Sequence, residues 1–583
     1  MRERIGVVLD DTGSGFFWHS RGWRDIVNPE IISPTQPIPA AVAVGKPGEA
    51  RTSLVSRALL AMAALFVIVQ ALPILTFPLG NDQGAYLMIG QGLLQGRHLY
   101  RDLMDTKPPG IFIVYAGIAK LFGRVMWSAA AADILLLLII SYVLFRFSER
   151  YLGCAGAAVA VIVHASMHGE MGYFWIAQPE TFQVACVLAG YLLMMRRKRW
   201  SRASWFAAGL LLGYGCWLKQ NAIVFLPFLL FLPFLDTSSL DRDPPRVSLT
   251  ISWRDWLVMA GFLLAGLAAA FGIVLAWIVF SGAWPAMREM QFEVVPRYAA
   301  MAVQRRPHYL LSALVRTYYS LGVWNLWALL AALVVGRLRR DLRRLAPLFL
   351  AAVTSYAAVA IQLRFHDYYF QTCYPFFAAI WAYLVVSIYE GSRGLARNFG
   401  QRGWRLAAGL IWIIFAQVIF WPLPDEFNKL TMRYEALREW RRDREAFYAG
   451  YPNQLPFEYL GDELKVIGFL EKNATPNDGL YIWGTRGVIY YLTGHIPPTR
   501  FHANLGIMSP WCPYSWREEL VRDLRKTQPR FIVVARHDAL PMITYVNMDS
   551  ETFLKSFPEL DTFIASNYKA AADFENFVVY RRQ

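Results

Sequence analysis

The sequence predicts a polytopic α-helical membrane protein followed by a small α/β region, and three observations carry that prediction. The 583 residues are 56% hydrophobic and only 17% charged, against about 25% charged in an ordinary soluble domain. The apolar residues are not dispersed but fall into blocks of roughly 17 to 25, the length that crosses about 30 Å of hydrocarbon as helix. After Pro424 the composition changes to charged sequence with short strand-like runs.

The net charge of +15 does not mark a nucleic-acid binder. Its arginines and lysines sit in short loops, at 196–199, 337–344 and 393–405, which is the positive-inside pattern of a membrane protein and not one basic face on a soluble fold. The five cysteines form no CxxC motif, and four of them lie in or beside apolar segments, so neither a disulfide framework nor a cysteine metal site is expected.

Residues 1–56 are polar and Pro-rich without an apolar core, so they are expected as a disordered cytoplasmic tail and not a signal peptide. Spanning helices are predicted at about 58–79, 127–147, 153–169, 177–195, 203–218, 220–236, 256–281, 310–335, 346–362, 371–390 and 405–423. These eleven place the N-terminus inside and the C-terminus outside, and every basic cluster then falls on the cytoplasmic side. The run 110–122 spans only about 20 Å as helix, and a crossing there would invert every later cluster. It is therefore expected as an interfacial helix, with 83–94 as a second one along the membrane surface. Residues 57–424 would form the membrane domain. Residues 425–583, with strand-like runs 479–484, 531–535 and 577–580 between helical patterns, would form a periplasmic α/β domain.

In this topology the polar segments gather on the outer face, and the cytoplasmic loops carry no catalytic type of group. Asp82 stands just beyond the first span, either as a loop carboxylate or as a general base for a hydroxyl. In Asp105-Thr106-Lys107-Pro108-Pro109 the prolines suit a helix start, and Lys107 lies at headgroup depth, where an ammonium pairs with phosphate. Lys219 stands between two apolar segments, a costly place that points to a functional partner unless the chain snorkels to the interface. Glu180 opens a span, where a carboxylate also complements the helix dipole. Arg297, Arg305, Arg306 and His308 put positive charge on the side that should be poor in it, to hold a substrate anion or lipid headgroups. His366, Asp367 and the Tyr368-Tyr369 pair could stack on and hydrogen-bond a sugar, or belong to an interfacial aromatic belt. His164, His168 and Glu170 have no clean metal spacing, so a divalent metal stays an open possibility.

The run Asp82-Gln83-Gly84-Ala85-Tyr86, the run Gln95 to Asp102 and the run Asp105-Thr106-Lys107-Pro108-Pro109-Gly110 resemble the first outer loop of bacterial GT-C glycosyltransferases. The nearest group is the family 39/83-like enzymes, related to protein mannosyltransferases and the lipid A aminoarabinose transferase. Arg364 to Pro375 is similar to a second block of these proteins. The resemblance covers roughly residues 58–390 in pattern and two short blocks in identity.

It implies a GT-C fold and a transferase that takes sugar from a polyprenyl-phosphate monosaccharide at the outer leaflet, with inversion. The acceptor would be a hydroxyl of an envelope glycan, glycolipid or protein. It implies Asp82 as general base, Glu180 as the second-loop acid, and Lys107 and Lys219 as contacts of the donor phosphate; Arg297 and Arg305, from their place on the outer side, are expected to join them. Tyr86, Tyr100, Asp105, His366 and Tyr368 would line the substrate. Many members carry two consecutive acids where this chain has Asp82-Gln83. A transporter or flippase of a lipid-linked substrate is the alternative, but it would show internal repeats and polar residues at mid-membrane, and here they crowd one face.

Overall fold

The computed structural model describes residues 54–195, 201–235, 252–304, 309–398, 423–453, 455, 457–475 and 477–583. The predicted span 405–423 (up to its last residue), nearly all of the tail 1–56, and Arg305, Arg306 and His308 lie outside the described residues.

The apolar blocks form helices where their length predicts them. They are α1 (Leu54–Ala71), α2 (Asn81–Leu94), α3 (Pro109–Phe122), α4 (Ser128–Gly169), α5 (Pro179–Met194), α6 (Arg202–Leu218), α7 (Phe225–Leu235) and α8 (Trp253–Phe280). Then come α9 (Trp284–Arg288), α10 (Val295–Gln304), α11 (Tyr309–Thr317), α12 (Val323–Leu338), α13 (Leu342–Ala360) and α14 (Tyr374–Asn398). Six runs among the described residues are long and apolar enough to cross a membrane: Ser56–Thr76, Ser128–Gly169, Trp253–Phe280, Leu310–Leu338, Leu342–Ala360 and Tyr374–Ser392. The molecule has the architecture of a polytopic membrane protein.

Helix α4 is two predicted spans joined at Gly153, whose φ of 70° breaks the helix. A straight run from Asp133 to His168 would put these residues about 52 Å apart, yet His168 Nε2 lies 2.7 Å from Asp133 Oδ2. The two legs therefore fold back on each other, and the buried Asp133–His168 pair closes the hairpin at its open end. The Ala177 amide donates to the other Asp133 oxygen at 2.7 Å, which ties the approach to α5 to the same end. At the bend the charge is basic: Arg150 donates to the Met195 carbonyl at 3.1 Å, and Arg339 and Arg344 share Glu390. From Asp133 to the bend is about 30 Å of helix, the thickness of a hydrocarbon core. The bundle thus has a basic end and, opposite it, an end where α2, α3, the start of α5 and the turn after α6 meet.

At that second end α2 is enclosed by protein, with every residue from Gln83 to Gly92 buried. Its glycines permit this. A Cβ on Gly90 would meet the Ala116 amide of α3 at 2.5 Å, and one on Gly84 would meet the Val488 amide at 2.6 Å. Val488 belongs to the helix Gly487–Thr493, so the C-terminal part of the chain packs directly on α2.

The C-terminal part holds a four-stranded sheet of β1 (Leu480–Trp483), β2 (Phe531–Ala535), β3 (Tyr568–Phe574) and β4 (Phe577–Arg582), in the order β1-β2-β4-β3. β1 and β2 are parallel, with Leu480 opposite Phe531, and the other pairs are antiparallel. β1 and β2 are buried at every position, as expected of a sheet covered on both faces. Three strands fall on the predicted runs. β3 was not predicted, since Tyr568-Lys-Ala-Ala-Ala-Asp-Phe574 has little β-propensity and pairs as a largely exposed edge.

Candidate active site

Four local devices bring the polar residues of the second end together. Gly80 precedes α2, so Asp82 falls in its first turn, where the helix dipole favours a carboxylate. Asp105 Oδ1 accepts the Lys107 amide at 3.0 Å, which turns the chain just before Pro108 and Pro109 start α3. Pro179 opens α5 and leaves Glu180 in its first turn. Lys219 is extended, with φ −157°, and interrupts the apolar run between α6 and the turn Gln220–Val224.

A glycine sets the distance between the two lysine-bearing segments. A Cβ on Gly110 would meet the Trp217 carbonyl oxygen at 2.6 Å, and Tyr214 of α6 donates to the Gly110 carbonyl at 3.1 Å. The start of α3 is thereby held against the end of α6.

Lys107 Nζ stands 3.8 Å from Asp82 Oδ1 and 5.0 Å from the centre of the Tyr86 ring. Burial works against its charge, but Asp82 and then Asp105 outweigh it and hold the ammonium above the usual lysine value. Asp82 keeps 28% of its side chain open, and its Oδ2 accepts from Gln178 at a long 3.4 Å. Asp82 is thus accessible, as is Asp105 beside the same lysine. Glu180 is fully enclosed and salt-bridged to Lys219. The Lys219 ammonium also lies 3.2 Å from the centre of the Tyr369 ring and 5.6 Å from that of Tyr368.

The segment after α13 completes one wall. Tyr368 stacks on Trp175 at 5.2 Å and His366 stacks on Tyr368 at 5.8 Å. Gln371 reaches the Trp175 carbonyl at 2.6 Å and also meets Thr181. A π-helical stretch, Glu289–Val294, supplies Gln291, whose Nε2 donates to the Thr106 carbonyl at 3.1 Å and whose Oε1 accepts from Gln220 at 2.7 Å. Gln291 so bridges the Lys107 loop and the Lys219 turn. Its position inside a π-bulge, a motif frequent at functional sites, leaves no signal in the sequence.

The structure brings Asp82, Tyr86, Asp105, Lys107, Glu180, Lys219, His366 and Tyr368 to this one end. Tyr100 is buried behind it, donating to the Lys107 carbonyl at 2.8 Å, where it braces the loop. Arg297 is exposed and lies toward Cys512.

The C-terminal part adds residues that carried no site signal in the sequence. Arg486 is 1% exposed and binds Glu463 at 3.2 Å, the Phe457 carbonyl at 2.7 Å and Asn81 at 3.3 Å. Asn81 is the residue before Asp82. Glu458 is buried beside it and accepts from the Tyr173 hydroxyl. Burial, then Glu463, push the Glu458 carboxyl up to about 8. His502 is buried near Asp105 and Lys107, and burial lowers its imidazole below the usual value. These contacts put the C-terminal part on the same side of the bundle as Asp82.

Among the described residues no three His, Cys, Asp or Glu side chains converge as metal ligands. Asp82 faces Lys107 and Gln178 Nε2, groups that donate hydrogens and offer no lone pair to a metal. This donor set does not fit a divalent ion.

The family model described as dolichyl-phosphate-mannose-protein mannosyltransferase matches residues 106–277, a stretch that contains Lys107, Glu180 and Lys219 and begins after Asp82. The solved structure of ArnT from Cupriavidus metallidurans bound to undecaprenyl phosphate matches with a TM-score of 0.50 and 15% identity, over 90% of this chain and 98% of that one. The same protein in its apo state matches at 0.48, over 90% and 97%. The Archaeoglobus fulgidus oligosaccharyltransferase AglB, in complex with an inhibitory peptide and a dolichol-phosphate, matches at 0.44 with 14% identity, over 91% and 74%. No curated protein sequence matches the chain. The chain is a polytopic membrane protein of the GT-C glycosyltransferase fold.

Proposed function

We propose that this protein is an inverting membrane glycosyltransferase. It moves a sugar from a polyprenyl-phosphate monosaccharide to a hydroxyl of an envelope glycan, glycolipid or protein acceptor. The observation that carries the reading is the pairing of an accessible carboxylate, Asp82, with Lys107 at 3.8 Å, beside the Lys219–Glu180 pair. Base and phosphate-binding cations thus stand within one site. ArnT, whose fold it shares, is solved with undecaprenyl phosphate bound, and a lipid phosphate is the anion this pair of lysines suits.

In this reading Asp82 takes the proton of the acceptor hydroxyl as it attacks the anomeric carbon. The leaving group is a phosphate ester, stable as an anion, so the site needs cations more than an acid. Lys107 and Lys219 stabilise the charge that grows on it. Burial pushes the Lys219 ammonium down to about 8, and Glu180 opposes that shift and aims the side chain. Tyr368 and His366, both partly open, offer ring faces and polar edges to a sugar, whereas Tyr86 is fully enclosed with the Lys107 ammonium over its ring, and Tyr100 and Asp105 hold the loop that bears Lys107. The positive-inside rule supports an orientation with the basic end of the bundle toward the cytoplasm, and the proposal has the site and the C-terminal part in the periplasm of a bacterial inner membrane.

The test is transfer by purified protein in nanodiscs from a panel of radiolabelled polyprenyl-phosphate sugars to a membrane extract. Donor-dependent transfer supports the reading. Binding of undecaprenyl phosphate without transfer from any donor would favour a flippase instead.

A further inference from the structure

Arg364 differs from the other buried cations at this end of the bundle. Lys107, Lys219 and Arg486 each have a carboxylate partner. Arg364 is 7% exposed and has no carboxylate partner among the described residues. Its Nη2 donates to the Tyr298 carbonyl at 2.8 Å and to the Tyr545 hydroxyl at 3.0 Å. Its Nε is sealed from solvent and has no hydrogen-bond partner among the described residues. The guanidinium lies 3.4 Å from the centre of the Tyr298 ring and 5.9 Å from that of Tyr545. Tyr298 in turn packs on Trp511 at 4.8 Å. The backbone beside Arg364 is held by Arg316, which donates to the Phe365 carbonyl at 3.2 Å.

Stacking on tyrosine accounts for part of this arrangement, but not for all of it. A buried cation bound only by neutral groups is disfavoured, and an unsatisfied buried donor in a native structure calls for an explanation. The guanidinium fork is matched to a two-oxygen anion, and here one of its donors stays unused. Tyr298 also lies within electrostatic reach of Lys107 and Asp82, so the arginine borders the active site.

We propose that Arg364 is a second anion station, which takes a phosphate or carboxylate group of the substrate between Tyr298 and Tyr545. The inference rests on the glycosyltransferase reading above. Its walls come from two distant parts of the chain, α10 and the C-terminal part, so the latter helps to form the substrate site. The anion belongs either to the lipid donor or to an acidic sugar of the acceptor.

The experiment uses the full chain in nanodiscs, as wild type, Arg364→Met and Arg364→Lys. Thermal stabilisation is titrated first with undecaprenyl phosphate. With that lipid saturating, it is then titrated with glucose 1-phosphate and glucuronate, and with glucose as neutral control. At least tenfold weaker binding of one anion by Arg364→Met, with several-fold weakening in Arg364→Lys and glucose unaffected, is expected. Weakened lipid binding assigns the station to the donor, and weakened sugar-anion binding assigns it to the acceptor. A folded Arg364→Met that binds every anion like wild type overturns the proposal. If that variant does not fold, unchanged binding by Arg364→Lys overturns it equally. Wild type that binds no undecaprenyl phosphate sinks the glycosyltransferase reading itself, whereas lipid binding with no dependence on Arg364 sinks only the second station.

Discussion

Replacing Asp82 with asparagine should separate chemistry from binding and from folding. The substitution keeps shape and removes one negative charge. Asp82 is 28% open, and its ion pair with Lys107 is 3.8 Å long; a partly exposed pair of this kind contributes about 0–1 kcal/mol. The melting temperature should therefore move by no more than a few degrees. The loss of a general base should lower kcat by about 10²–10⁴-fold, which is about 3–5 kcal/mol of barrier. The KM for the lipid donor should stay within about threefold, because Lys107 and Lys219 remain. The assay is transfer of labelled sugar from the polyprenyl-phosphate donor identified above, with donor and acceptor varied separately. A kcat within a few-fold of wild type, in a variant that folds, would refute Asp82 as the base and turn attention to Asp105 or Glu180.

Lys107→Met should raise the dissociation constant for undecaprenyl phosphate by about 10–100-fold, as one charge-assisted contact is worth about 1.5–3 kcal/mol; equal binding by the variant counts against the phosphate role. Glu180→Gln leaves Lys219 without its partner in an enclosed site, so it should destabilise by about 3–5 kcal/mol, visible as a lower melting temperature with donor binding also weakened. Gly487→Ala would place a Cβ 2.4 Å from the Ala85 amide; it should destabilise by about 1–3 kcal/mol and lower kcat, since Asp82 rides on the displaced helix, and an unaffected kcat would uncouple the C-terminal part from the site. Glu458 has its carboxyl pushed up to about 8 by burial and by Glu463. The folded protein holds that proton more tightly than the unfolded chain, so the stabilisation is full below the ordinary carboxyl range and is lost as pH rises toward 8. The melting temperature should fall across that window, and a Glu458→Gln variant that keeps the full decline would remove Glu458 as its cause.

The bundle and half of the site were legible because a membrane makes charge conspicuous. Lys219 and Glu180 are noticeable in the sequence since their neighbours are apolar, and Asp82 and Lys107 stand in a long polar stretch between apolar runs. The residues supplied from the C-terminal part were not legible for the opposite reason. Arg486, Glu463 and Glu458 lie in sequence already rich in charge, and nothing local distinguishes a carboxylate under α2 from one in solvent. Gln291 looks like any polar residue of a loop, and only the π-turn aims it at the Thr106 carbonyl. Arg364 stood in a segment singled out for its tyrosines and histidine. Its proposed role depends on the lack of a counter-charge around it among the described residues, which only the fold reveals.

The contact of Arg486 with Asn81 joins residues 405 positions apart. The helix Gly487–Thr493 that clasps the helix bearing Asp82 leaves the ribosome about 400 residues after it. At about 5–20 residues per second, some 20–80 s separate the two events. During that interval Asp82 has no arginine behind its neighbour and no helix across Gly84. On the proposed function, the site is complete only once the C-terminal part has docked on α2.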